Sequence, residues 1–159
     1  MQPAYSVAIV TGASSGLGRE VALRVAAWGS AIVVGYLEDQ HGAEATVADI
    51  LAAGGTTVAV RADPTDELDV ERLFIESIAA FGGVDVVVHT TPHSAAILYR
   101  QAARQLRQGG AIVSVSGAEP EPGVLRQLRE RGMTVGTTSP GTLLWYLEQW
   151  RAGPTADAV

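Results

Sequence analysis

The chain contains no cysteine, so neither a disulfide framework nor thiolate chemistry is open to it. It contains no lysine either: all eleven of its basic residues are arginine. No apolar run approaches the roughly 20 residues that span a bilayer, and no signal peptide precedes the first apolar segment. A soluble, cytoplasmic protein with no membrane partner is the expectation. A formal net charge of −6 without any basic stripe argues against a nucleic-acid partner. His41, His89 and His93 do not make a metal motif, because His89 and His93 straddle Pro92 and so sit on a turn rather than on one helical face. No carboxylate spacing suggests paired acid–base chemistry.

What is there begins with Thr11-Gly12-Ala13-Ser14-Ser15-Gly16-Leu17-Gly18. An apolar run, Val7-Ala8-Ile9-Val10, precedes it, and an amphipathic one from Glu20 to Ala26 follows. Strand, glycine-rich turn and helix in that order form a phosphate cradle. Glycines let the backbone approach a pyrophosphate, and the helix N-terminus offers N–H groups and partial positive charge. The plain alternative is a strand–helix connection with incidental glycines.

At 159 residues, 47% of them hydrophobic, the chain suits one domain around a sheet buried on both faces. Six β-branched segments read as strands: Val7–Thr11, Ala31–Tyr36, Thr57–Arg61, Val84–His89, Ala111–Ser116 and Thr134–Thr138. Helical patterns lie near Leu17–Trp28, Gly42–Ala53, Leu68–Phe81, Ala95–Gln108, Val124–Arg131 and Leu143–Trp150, with Gly54-Gly55, Gly82-Gly83 and Gly109-Gly110 as stops. Alternation of this kind predicts a doubly wound parallel α/β sheet in order 3-2-1-4-5-6, with a crevice between strands one and four. The domain is expected over 1–152, with a flexible tail at 153–159.

The Thr-Gly-x-x-x-Gly-x-Gly turn and the approach Phe81-Gly82-Gly83-Val84-Asp85-Val86-Val87-Val88 resemble the short-chain dehydrogenase/reductase family, nearest its β-ketoacyl reductase-like branch. The resemblance is densest over residues 5–92. It implies a Rossmann fold and an NAD or NADP cofactor held by Gly12, Ser14, Ser15, Gly16, Leu17 and Gly18. Asp63, ending strand three, corresponds to an adenine contact; capping the next helix is its other reading, a duty Asp66 could perform as well. Tyr36 takes the ribose-facing place, and Glu38 could fold back to the ribose. Ser15, at a place often basic in NADP-preferring relatives, is uncharged. NAD and NADP both stay open.

Further on, the chain departs from the family pattern. His89-Thr90-Thr91-Pro92 stands in place of Asn-Asn-Ala-Gly, which props strand four and shapes the nicotinamide side; His89 is the cofactor-contact candidate there. Gly117 falls where the catalytic serine is expected, with Ser116 one place early and so on the opposite strand face. The Tyr-x-x-x-Lys pair cannot exist without lysine, and no Tyr-x-x-x-Arg replaces it. Pro140-Gly141 after strand six matches a nicotinamide carboxamide contact, or is a plain turn.

Three functions follow. The first is a non-catalytic, dinucleotide-binding auxiliary partner of a full-length reductase subunit, or a homo-oligomer, with Ala95–Gln108 and the last helix as contact elements. For Trp145 and Trp150, covering the chain's own sheet edge is the alternative. The second is an NAD(P)H-dependent oxidoreductase with a rebuilt site at His93 and Tyr99, beside His89. The third is a sensor that binds NAD(P) without consuming it.

Overall fold

The computed structural model describes residues 6–115 and 119–151, with no account of the Trp150 and Arg151 side chains. The expectations placed on Ser116, Gly117, Trp150's side chain and the 153–159 tail therefore lie outside the described residues. Six parallel strands run in the order β3-β2-β1-β4-β5-β6. They are β1 (Val7–Val10), β2 (Ala31–Tyr36), β3 (Thr57–Arg61), β4 (Val84–His89), β5 (Leu106–Ser114) and β6 (Thr134–Thr137). The helices are α1 (Gly16–Ala27), α2 (Gln40–Ala52), α3 (Glu67–Phe81), α4 (Ala96–Gln105), α5 (Pro122–Glu130) and α6 (Leu143–Arg151).

Continuous apolar strands make sense because both sheet faces are covered. Ile9, Val33, Val87 and Ile112 pack with α3, α4 and α5, whose Phe74, Leu98 and Leu128 are fully buried. Ala8, Val10, Val34, Val86, Val88 and Val113 pack on the other face with Val21 of α1, Ile50 of α2 and Leu143 and Leu147 of α6. Each such side chain contributes roughly 1.5–3 kcal/mol on burial. Leu143, Leu147 and the partly buried Tyr146 cover the sheet there, and Trp145 is 62% exposed rather than covering it.

The largest boundary difference from the sequence expectation lies between α4 and β5. Residues 106–108 continue β5 rather than α4, and Gly109-Gly110 lies inside the strand instead of stopping a helix. Leu106 pairs with Val84, and the register then shifts before Val86 meets Ala111. Gly109 takes φ +81°, the left-handed conformation that suits glycine, and a Cβ on Gly110 would lie 2.3 Å from the Asp85 carbonyl oxygen. The kink carries Arg107 back to Asp85 (3.0 Å), whose carboxylate also accepts the Val7 N–H at 2.8 Å. Side-chain contacts across a strand pair outweighed the helical pattern there.

Candidate functional site

The functional edge of the sheet starts where β1 ends. Thr11 N–H donates to the Val88 carbonyl at 3.0 Å, which keeps the chain beside β4 for one more residue. Gly12 then takes φ +63°, and the chain turns into α1. The Ala13 N–H donates to the Gly35 carbonyl (3.0 Å), and the Ala13 carbonyl accepts the Thr46 hydroxyl (2.8 Å). The turn is thereby held by β2 and α2 on one side.

On the other side it is held by the β4 exit. Thr90 donates its N–H to the Thr11 hydroxyl (3.1 Å) and its own hydroxyl to the Thr11 carbonyl (2.7 Å). A Cβ at Gly12 would sit 2.6 Å from the Thr91 methyl, and one at Gly18 would sit 2.1 Å from the Gly12 carbonyl oxygen. The glycines are required by close approach of turn, helix and β4 exit. Ser15 precedes α1 in an extended conformation and makes no side-chain cap, and the first helical bond runs from Arg19 N–H to the Ser15 carbonyl. The N–H groups of Gly16, Leu17 and Gly18 are thus without helical partners, as an anion cradle requires.

A cleft of about 440 Å³ opens over this turn. Gly12, Ser14, Ser15, Leu17 and Gly18 form one wall. Gly35 to Asp39 close the β2 end, Ala62 and Pro64 the β3 end, and Thr90 to His93 the β4 side. Its charged lining is acidic, Glu38 and Asp39, and no arginine lines it among the described residues. Asp39 is committed to capping α2 through the Gly42 N–H at 2.9 Å, while Glu38 is exposed.

The candidate residues separate by position. Tyr36 lines the cleft at the end of β2. Asp63 lies between the lining residues Ala62 and Pro64, and its carboxylate accepts the Thr65 hydroxyl (2.6 Å) and N–H (2.8 Å). Those two hydrogen bonds hold it below the usual carboxylate range. It does not cap α3; Asp66 does, accepting from the Asp69 N–H at 2.9 Å. Gly16 belongs to the turn, with φ +55°. Pro140 and Gly141 form an exposed 3-10 turn after β6 and do not line the cleft.

His89 is wholly buried, behind the cleft wall rather than in it. Its Nε2 lies 2.7 Å from the His93 carbonyl oxygen and its Nδ1 lies 2.8 Å from the Thr11 hydroxyl. A carbonyl only accepts, so Nε2 carries the proton; Nδ1 of the neutral ring then accepts from Thr11. Burial pushes the His89 pKa down. His93 lines the cleft, is exposed, and its ring stands 3.2 Å from the Thr91 hydroxyl.

Tyr99 does not line the cleft, while its hydroxyl reaches the carboxyl ends of β5 and β6, where Ser114 is the register partner of His89. Only 1% of it is exposed; it packs in the α3–α4–α5 core with its hydroxyl bonded to the side chains of Ser114 and Thr137. Burial there pushes its pKa up, away from proton transfer near neutrality. The helical spacing that turns Leu98, Tyr99 and Ala102 inward explains the placement.

Sequence reading passed over Gly35, Asp39, Thr46 and Thr91. A glycine inside a β-branched strand signals close backbone approach, and a Cβ at Gly35 would be 3.0 Å from the Val10 carbonyl oxygen. Asp39 ahead of Gln40–Ala52 is a helix-cap signal. Thr46 and Thr91 carry no such mark.

The family model for short chain dehydrogenases matches residues 6–97. The 3-oxoacyl-[acyl-carrier-protein] reductase of a Synechocystis strain is 41% identical over 83 residues, which are 52% of this chain and 34% of that protein. The chain is thus matched to about a third of that curated relative's length. A dehydrogenase/reductase structure from Sinorhizobium meliloti superposes with a TM-score of 0.69 at 29% identity, covering 84% of this chain and 72% of that one. A Burkholderia cenocepacia short chain dehydrogenase solved in complex with NADP superposes with a TM-score of 0.67 at 25% identity, covering 84% and 73%.

Proposed function

The chain belongs to the short-chain dehydrogenase family, and from that premise we propose that it is a dinucleotide-binding unit, selective for NAD(H), that serves beside a reductase subunit. The observation that carries the reading is the cradle: Gly12 and Gly18 approach their neighbours so closely that neither tolerates a Cβ, and the free end of α1 faces the cleft. Gly12, Ser14, Ser15, Gly16, Leu17 and Gly18 would hold the pyrophosphate, Tyr36 with Glu38 the adenosine ribose, and Asp63 the rim near the adenine. The bound cofactor would supply the hydride.

The charge of the lining supports the preference. A 2′-phosphate would meet Glu38 and the capping carboxylate of Asp39, with no guanidinium among the described lining residues to receive it. The auxiliary role rests on proton transfer. The chain has no lysine, and Tyr99 is engaged inside the core. A proton donor for a carbonyl substrate would then come from a partner.

A second reading, an oxidoreductase of its own with His93 as proton donor, is supported by the exposed place of His93 on the cleft wall. Thermal shift with NADH, followed by NADH oxidation against a panel of ketones, separates the two. Stabilisation without oxidation supports the auxiliary unit. Oxidation that disappears in His93→Ala favours the second reading.

A further inference from the structure

Thr11 and His89 form a joint between the cradle and the β4 exit, and the joint depends on which nitrogen of one imidazole holds a proton. The Thr11 hydroxyl donates to His89 Nδ1 (2.8 Å) and, with its remaining lone pairs, accepts the Thr90 N–H (3.1 Å). His89 Nε2 donates to the His93 carbonyl at 2.7 Å. One neutral ring thereby ties the turn at residues 11–12 to the 90–93 segment, both of which line the cleft. The geometry points to His89 as a positioning residue whose protonation on Nδ1 releases the cradle and lowers affinity for the dinucleotide. This inference rests on the dinucleotide-binding reading above.

A protonated Nδ1 donates, so the Thr11 oxygen would face two donors at once, the ring and the Thr90 N–H. The threonine proton would have to leave. Among the described residues its other acceptor is the Val88 carbonyl, at 3.5 Å and shared with the Thr11 N–H. A weak bond would replace a good one, and a charge would appear at a fully buried position.

Among the described residues, no acidic group acts on His89 to compensate that charge. From the turn after β1 the ring meets Thr11, and from the 90–93 segment Thr91 and His93; Ser114 is the register partner of His89 on β5. Behind Ser114 stands Tyr99 of α4. His93 is the one charged group acting on His89 among the described residues, and it acts unfavourably. A family asparagine at this place would have no such titration.

The test is ADP-ribose binding by calorimetry between about pH 8 and pH 5.5, where neither phosphate nor adenine changes state appreciably. Wild type is expected to lose affinity as pH falls through the His89 midpoint, which the ring's own NMR titration locates, with a limit of about tenfold per pH unit below it. His89→Asn, which keeps an acceptor for Thr11, should bind with no such acid loss. His93→Gln should keep the loss, because its carbonyl still receives the ring. A flat wild-type profile, an acid loss retained in His89→Asn, or one abolished in His93→Gln, would overturn the inference.

If wild type fails to bind at pH 8, the dinucleotide reading falls by itself. The joint is then judged on the free chain by following the His89 ring and the Thr90 and Gly12 amides by NMR against pH. Amide shifts that track the ring titration support it. A ring that titrates while those amides stay still refutes it.

Discussion

The carbonyl oxygen of Gly12 occupies the space that a side chain at Gly18 would need: a Cβ there would lie 2.1 Å away, with the Thr90 hydroxyl 2.8 Å away on the same side. Both neighbours are anchored, Gly12 by the turn and Thr90 by its two bonds to Thr11. Gly18→Ala must therefore push the turn off α1. We expect a stability loss of about 1–3 kcal/mol and dinucleotide affinity reduced at least about tenfold, read by urea denaturation and calorimetry. Unchanged binding would mean the cradle is not the site.

Glu38 sets the expected cofactor preference. Glu38→Arg replaces an exposed acid on the cleft wall with a guanidinium able to pair with a 2′-phosphate. Asp39 is left alone because it caps α2. The ratio of NADPH to NADH affinity should rise about tenfold. A ratio that does not move would place the ribose elsewhere.

Tyr99→Phe removes a hydroxyl from the Ser114–Thr137 cluster without touching the cleft. The expected cost is about 1–2 kcal/mol of stability, with NADH affinity unchanged. Loss of affinity at full stability would bring Tyr99 back as a site residue.

Asp85 lies at the amino end of β4, away from the cleft, where its carboxylate accepts from Val7 and Arg107. Asp85→Ala leaves the Val7 N–H without this partner. Unfolding should become easier by about 1–3 kcal/mol, again with cofactor affinity intact. The variant is the stability control for Gly18→Ala.

Acid destabilisation has a definite sign at His89. Its folded pKa lies below the ordinary 6.5, because burial disfavours the charged ring. The unfolded chain therefore binds the proton first as pH falls. Stability contributed by the neutral ring is complete above about 6.5, declines from there to the folded pKa, and is level below it. Urea midpoints at pH 7.5 and 5.5 should differ more for wild type than for His89→Asn; equal differences would contradict a buried, neutral ring at His89.

Strand order, the covered faces and the position of the glycine turn were legible in the sequence because each rests on a local pattern. β-Branched runs marked the strands, and Gly12, Gly16 and Gly18 marked the turn between β1 and α1. What escaped depends on contacts between distant residues. The extension of β5 to Leu106 follows from pairing with Val84, and the helical spacing of residues 95–108 gave no sign of it. Likewise His89 reads as a strand-end polar group; only Thr11, 78 positions earlier, turns it into a buried joint. Tyr99 follows β4 closely in sequence, but α4 packs its ring into the core and off the cleft wall, a placement set by contacts between distant residues.

The most direct test is calorimetric titration of the chain with NADH and, separately, NADPH near pH 8, with Gly18→Ala as the control. The account predicts saturable binding of one NADH per chain, weaker binding of NADPH by about tenfold, and little heat from the variant. NADPH binding more tightly than NADH would contradict the reading of Glu38. No binding of either would contradict the central claim, that the turn between β1 and α1 is a working dinucleotide cradle.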